Sequence, residues 1–416
     1  MVKETTMKQT EIGLLPEDWE VMSLGDILLS NPDYGINASA VKYNDALPTY
    51  LRITDIDDEG NFIKKNLSSV NNINSEKYYL NKDEIVFART GASVGKTYLY
   101  KEYDGRLVFA GFLIRLKINT EEASSKFVFY NTQTTYYKNW IISNSMRSGQ
   151  PGINSNEIKG FQIPLPPLPE QEFIAEALSD TDTWIESLEK LVNKKRLIKQ
   201  GAMQKLLTPK DDWEEKTIFE IAEKKRDLFN DGDWVEAIHI KEEGIRLIQT
   251  GNIGVGKFLN KSNKKYISEK SFVDLKCKEI LEGDLLICRL AEPAGRVCIF
   301  PKTEDRKSVT SVDVTIYRPD VNVFDRRVLL YLLSTDEWFK QVLEQVGGTT
   351  HKRISRGNLG NIKIMIPKSL EEQTRIATIL SDMDIELETL DNQLAKARQI
   401  KQGMMQELLT GRTRFI

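Results

Sequence analysis

The chain is poor in the residues that most often carry enzyme chemistry. Of its 416 residues only two are histidine, His239 and His351, so a metal centre or a catalytic triad built on imidazole is hard to assemble. There are three cysteines, Cys277, Cys288 and Cys298, all in the second half and without a C-x-x-C pair. That spacing argues against a zinc knuckle and for buried free thiols. No apolar run approaches the roughly 18 residues of a membrane helix, and the first residues carry no signal-peptide core. A cytoplasmic protein without a membrane partner is expected. Nor does one charge dominate: 58 Lys and Arg face 61 Asp and Glu, a net charge of −3. Such a balance does not announce a nucleic-acid binder, but local basic patches act over about 10 Å in ordinary salt and remain compatible with one.

What is present is a repeat. Glu170–Thr208 aligns without gaps on Glu372–Thr410, with roughly half of the positions identical, as a duplicated unit would be. The shared pieces include Glu-Gln, Ile-Ala, Leu-Ser-Asp and the closing pattern IKQG-x-MQ-x-LLT, from Ile198 to Thr208 and again from Ile400 to Thr410. Upstream the likeness is weaker. YLRITDI (Tyr50–Ile56) parallels RLIQTGNI (Arg246–Ile253), LNKDEIVFARTGASVG (Leu80–Gly95) parallels LEGDLLICRLAEPAG (Leu281–Gly295), and INSNEIKGFQIPLP (Ile153–Pro166) parallels ISRGNLGNIKIMIP (Ile354–Pro367). Each half is thus a divergent region followed by a near-identical one.

The near-identical regions read as helices. Ile376, Leu380, Met383, Leu387, Leu390, Leu394 and Ala397 recur by fours and threes, and Ile174, Leu178, Thr181, Ile185, Leu188, Val192 and Lys195 hold the same register. That is a heptad seam, free of internal proline. Each helix would be about 58 Å long. Two narrow, matched stripes favour packing of the helices on each other; separate packing on a globular region is the alternative. The divergent regions read as mixed α/β, with strands at Glu84–Ala88, Thr97–Tyr100, Leu107–Leu116, Leu285–Cys288 and Val312–Tyr317, and helices over Lys126–Ile142 and Arg326–Val346.

Ala88–Tyr100, ARTGASVGKTYLY, contains a near-match to a phosphate-binding loop. It is one residue short of the G-x-x-x-x-G-K-[ST] spacing, and a strand-like run follows where a helix is needed. The second half keeps Arg89 as Arg289 and Gly95-Lys96 as Gly295-Arg296, but not the Lys-Thr pair. The retained arginine, turn and glycine–cation step suit a loop laid against a DNA phosphate or base edge, with Arg89, Thr90, Lys96, Arg289 and Arg296 as contacts; an ordinary hairpin with solvated charge is the plain alternative. Two further Gly-rich polar loops precede the closing strand of each half. They offer Arg147, Ser148, Gln150 and Asn154 in the first, and Thr349, Thr350, His351, Lys352, Arg353 and Arg356 in the second. Cations there would neutralise phosphates, and amides and arginines would read base edges; for any one residue a solvated loop explains it as well. Asn31–Tyr34, NPDY, departs at Asp33 from the methyltransferase Asn-Pro-Pro-Tyr pattern and reads as a turn. The basic runs late in each helix suit the helix dipole, and their duplication suggests two equivalent partner sites.

Taken together, the two-half layout, PLPEQ opening the first long helix, the repeated KQG-x-MQ-x-LLT, RTGASVGK with SGQPGIN, and LIQTGNIG with GTTHKRIS resemble the specificity (S) subunits of type I restriction–modification systems. The resemblance implies an α+β fold: two pseudo-symmetric α/β target recognition domains joined by two long helices forming an antiparallel coiled coil. The expected divisions are 1–166 and 209–367 for the recognition domains and 167–208 and 368–416 for the spacer helices. It adds Gln249 and Asn252 of LIQTGNIG to the expected DNA contacts. It implies a non-catalytic chain that binds double-stranded DNA, two methyltransferase (M) subunits and restriction (R) subunits. S-adenosylmethionine, ATP and Mg would then be held by those partners, with no cofactor or metal in this chain. A coiled-coil scaffold without a DNA role, and an NTP-dependent nucleic-acid enzyme, are the alternatives; the degenerate second loop argues against the latter.

Overall fold

A computed structural model describes residues 6–146, 149–290, 292–348 and 352–414. The chain divides into two compact units, residues 1–190 with 392–416, and residues 191–391. Each unit therefore takes the start of one long helix and the end of the other. The helices, α1 (Leu168–Leu206) and α2 (Leu370–Leu408), each run for 39 residues, as the heptad pattern predicts.

Both units repeat one topology. In the first, a four-stranded sheet has the order Asp33–Tyr34, Leu113–Lys117, Glu84–Ala88, Thr97–Leu99. A second has the order Leu107–Phe109, Thr49–Leu51, Ser68–Val70, Ala40–Lys42, with Leu107–Phe109 parallel to Thr49–Leu51. In the second unit the corresponding orders are Phe229–Asp231, Val314–Tyr317, Leu285–Cys288, Val297–Ile299 and Ile240–Lys241, Lys265–Ile267, Ile245–Ile248, Ser308–Thr310, again with one parallel pair, between Ile245–Ile248 and Ser308–Thr310. A two-stranded ladder closes each unit ahead of its helix, Gln162–Leu165 on Glu20–Ser23 and Lys363–Pro367 on Trp213–Thr217. The three cysteines are free and buried.

Two expectations change. Leu107–Leu116 is not one strand. Leu113 N–H donates to Ala110 O across a tight turn, which hands the chain from one sheet to the other. Lys126–Ile142 and Arg326–Val346 are each two helices, Ser125–Asn131 with Thr135–Ser145 and Arg326–Leu332 with Asp336–Gln345. Thr134 and Thr335 break them, because each side chain caps a new helix by accepting from the amide three residues on.

The long helices do two jobs along their length. Ile174, Ala175 and Leu178 are buried in the first unit's core beside Phe127 and Val128. Ile376, Ala377 and Leu380 take the same place in the second unit beside Val328 and Leu329. These turns pack on the globular part and, in the same clusters, on the end of the other helix: Met404, Met405 and Leu408 in the first unit, Ala202, Met203 and Leu206 in the second. Further along, the two helices face each other without the globular part between them. In the first unit Ile185 and Leu188 are buried, and Arg398 and Lys401 of α2 pair with Glu189 and Asp182 of α1 at 2.6 and 2.5 Å. In the second, Val192 is buried while Met383, Leu387 and Leu390 are half-buried, and Lys195, Arg196 and Lys199 of α1 pair with Glu386, Asp391 and Asp384 of α2. In both units one helix descends in number as the other rises, so the pairing is antiparallel. Leu394 is half-buried in the first unit.

The shared motifs now have structural reasons. Gln171, fully buried, accepts from Ser124 N–H at 2.9 Å and donates to Pro166 O at 2.8 Å. Gln373 repeats this with Asp325 N–H and Pro367 O, both at 2.9 Å. One amide thereby ties the helix start to the closing strand and to the segment capping Ser125–Asn131 or Arg326–Leu332. The lysine of each IKQG reaches an aspartate–tyrosine pair. Tyr130 O–H donates to Asp182 at 2.8 Å with Lys401 on the other carboxylate oxygen, and Tyr331 donates to Asp384 at 2.7 Å with Lys199 likewise. Burial, reinforced by the neighbouring aspartate, raises both phenols far above their ordinary pKa. Gln171→Leu or Gln373→Leu is expected to leave a buried N–H and carbonyls unpaired and to cost about 1–3 kcal/mol, read as a lower urea midpoint.

Candidate nucleic-acid interface

In each unit the two loops singled out from sequence are brought together at the end of the central strand. In the first unit Gly91 N–H donates to Pro151 O at 3.0 Å and Ile153 N–H to Arg89 O at 2.9 Å, and Thr90 bridges to Gly152. In the second, Ile354 N–H donates to Arg289 O at 3.0 Å and Leu290 bridges to Arg353. Loops some sixty residues apart thus form one surface per unit.

The near-match to a phosphate loop is explained by packing. Gly95 N–H donates to Ala88 O, and Ala88 N–H to Lys96 O, both at 2.8 Å, and the chain continues into a strand, Thr97–Leu99. Gly95 has φ +84°, and a Cβ there would lie 2.6 Å from Ile141. Its carbonyl accepts from the Tyr137 O–H at 2.9 Å. Gly295 has φ +87°, a Cβ would lie 2.9 Å from Val342, and its carbonyl accepts from Trp338 Nε1 at 2.8 Å. The glycine is kept so that a helix can press on the hairpin. The cation after it, half-buried in both units, is taken up by partners within its own unit. Lys96 reaches Ile56 O at 3.3 Å and Asp58 at 2.8 Å; Arg296 reaches Ile253 O at 2.9 Å and Glu292 O at 2.6 Å.

Other expected contacts also carry structural partners. Asn252 is buried, accepts from Gln249 N–H and donates to Leu259 O, each at 2.9 Å. Asn154 caps the short helix Ser155–Lys159. Arg289 is buried, donates to Ile354 O and Val312 O, and pairs with Asp231 at 3.0 Å. Its burial, partly offset by Asp231 and aggravated by Arg353, lowers its pKa. Arg353 pairs with Asp313 at 3.1 Å, and Arg356 donates to Asn230 at 3.1 Å. Gln150 and Lys352 are exposed, and Arg89, Thr90 and Gln249 half-exposed. Arg147, Ser148, Thr349, Thr350 and His351 lie outside the described residues.

Two residues at this surface escaped the sequence reading. The Arg89 guanidinium lies over the Tyr34 ring, 4.9 Å from its centroid, and Tyr34 belongs to the NPDY stretch read as a turn. Phe112 is 59% exposed and its carbonyl accepts from Arg89 N–H at 3.0 Å. An exposed Gly-Phe turn is the only sequence signal it gave. On the helices, Ile198 and Ile400 of the repeated IKQG face outward, as does Trp184. No helix among the described residues is long and apolar enough to cross a membrane.

Two copies of one scaffold, each presenting a paired-loop surface and each keyed to a long helix, define a duplicated recognition architecture. The family model described as the type I restriction modification DNA specificity domain matches residues 16–198 and again 210–397. The chain belongs to this family. It is similar to the putative type I restriction enzyme MjaX specificity subunit of Methanocaldococcus jannaschii, 30% identical over 99% of this chain and 97% of that one. It is also similar to the MjaVIII specificity subunit of the same organism, 24% identical with the same coverage. Among solved structures, the type I restriction–modification S subunit from M. genitalium shares the fold at a TM-score of 0.61 and 16% identity, over 94% of this chain and 96% of that one.

Gly95→Ala and Gly295→Ala are each expected to lower stability by about 1–3 kcal/mol, from the left-handed backbone and the collision with the facing helix. A thermal melt reads the effect; Gly149→Ala, where a Cβ meets nothing within 4 Å, is the neutral control.

Proposed function

We propose that this chain is the non-catalytic DNA-recognition subunit of a type I restriction–modification complex and reads a bipartite, asymmetric target. The observation that carries the reading is the repeated pairing of a central-strand loop with a closing loop, on one backbone plan but with different side chains in the two units. Equal scaffolds with unequal surfaces suit two different half-sites. Gln150, Lys352 and the half-exposed Arg89, Thr90, Gln249 and Arg353 are the contacts favoured by exposure. Lys96, Asn154, Asn252, Arg289, Arg296 and Arg356 act mainly by shaping the loops.

In this reading the paired helices set the gap between half-sites, and their duplicated outer faces, including Ile198 and Ile400, dock two methyltransferase subunits. Those subunits flip an adenine in each half-site and methylate it. Restriction subunits add ATP-dependent cleavage. S-adenosylmethionine, ATP and Mg belong to these partners.

Methylome sequencing of a host carrying this chain and its methyltransferase partner is expected to show one bipartite motif with unlike halves; a palindromic motif, or none, overturns the reading. Leu387→Pro breaks α2 where it faces α1, at a helix cost of about 3 kcal/mol. It is expected to abolish methylation at both half-sites together; retained methylation removes the helices from the role of ruler.

A further inference from the structure

The arginine kept in both copies is held by different partners at one matching position. Arg89 and Arg289 share their backbone bonds: each N–H donates to the turn before the next strand, at Phe112 O and Asp313 O, and each C=O accepts from the closing loop, at Ile153 and Ile354. The edge strand beside them is also matched. Tyr34 pairs with Ile114, and Asp231 with Thr315, each next to the residue that opens the ladder to the central strand, Leu113 opposite Ala88 and Val314 opposite Cys288. Tyr34 and Asp231 are therefore equivalent. So are Phe112 and Asp313, and so are Ser155 and Arg356, each two residues after the isoleucine that bonds the arginine carbonyl.

The three exchanges act in concert. In the second unit Asp231 binds Arg289 at 3.0 Å and faces Arg356 at 3.8 Å, and Asp313 binds Arg353 at 3.1 Å. The guanidinium is buried and its charge neutralised. In the first unit Tyr34 offers a ring instead of a carboxylate. Its hydroxyl is fixed by Ser155, which lies 3.4 Å away through Oγ and 3.3 Å through its N–H. No carboxylate pairs with Arg89 among the described residues. Stacking occupies the face of a guanidinium and leaves its N–H edge free, whereas an ion pair consumes that edge. Beside it Phe112 projects from its turn, 59% exposed.

We infer that Arg89, held over the Tyr34 ring and flanked by Phe112, is the specificity-determining group of the first unit and reads a guanine edge in its half-site, whereas Arg289 is a positioning residue that does not touch DNA. An arginine with a free N–H edge matches the O6 and N7 acceptors of guanine in the major groove, and an exposed phenylalanine suits apolar contact with the adjoining base. Reading in the second unit falls to other groups of its paired loops, foremost the exposed Lys352. This inference rests on the DNA-reading role proposed above.

The test uses the full chain with its methyltransferase partner and reads the methylated motif and its rate. Tyr34→Phe keeps the stack and should keep the motif. Tyr34→Asp installs the second unit's locking residue, and Phe112→Ala removes the apolar neighbour. Both should slow methylation about tenfold or more. Tyr34→Asp should also make one G·C pair, in one half of the motif, degenerate, with the other half still required. An unchanged motif and rate in Tyr34→Asp and Phe112→Ala overturns the inference. So does loss of both halves together with a lowered melting temperature, which would make the cluster structural. A wild-type chain that directs no bipartite methylation removes the recognition role itself, a result distinguishable because it appears before any substitution.

Discussion

Each unit depends on one aspartate that joins three pieces of chain. Asp182 accepts from Tyr130 of the globular part and pairs with Lys401 of the other helix; Asp384 does the same with Tyr331 and Lys199. The ammonium also lies over the tyrosine ring, at 5.7 and 5.6 Å. A carboxylate with two partners of different origin fixes position as well as adding stability. The tyrosine sets how the helix leaves its domain, and the lysine sets the register of the second helix against the first. The sheets and loops hang from that joint. This explains why the helices stay nearly alike while the domains diverge: whatever a domain recognises, it must meet the same joint.

Much of this was legible in the sequence because it is periodic or duplicated. The seam from Ile174 to Val192 and from Ile376 to Leu394 announced two long helices, and both run for the expected span. Pattern does not say what a stripe packs against. Ile174 and Leu178, on the same heptad seam as Ile185 and Leu188, serve the domain core as well, because the first turns of this helix are covered by Phe127 and its neighbours. Local chemistry also overrode periodicity. Thr134 and Thr335 offered their hydroxyls to backbone amides and split what read as continuous helices.

The loops were less legible, for a physical reason. Sequence reveals which residues are charged or flexible, but the use of a charge depends on what the fold sets against it. Lys96 and Arg296 look like phosphate ligands, yet each bonds the carbonyl of an equivalent isoleucine. Asn252 looks like a base-reading amide, yet it is buried and pins its own loop. Tyr34 read only as the end of a turn, because its importance lies in Arg89, fifty-five residues away, which no local pattern links to it. Conversely, alignment of the halves, with one gap in this stretch, did pair Arg89 with Arg289, and that pairing holds in the backbone while failing in the side chains.

The division of the helices between units has a consequence for how the molecule is made. Leu408 and Leu409 are buried in the first unit's core, and Arg414 binds Asp18 and Glu170 there. The first unit to emerge from the ribosome is thus the last to be closed. At about 5–20 residues per second, its apolar helix start waits through synthesis of the whole second domain before its cover arrives. Contacts of such separation fold slowly and leave sticky surface exposed meanwhile. During that interval Ile174 and Leu178 lack the leucines that complete their burial in the finished fold.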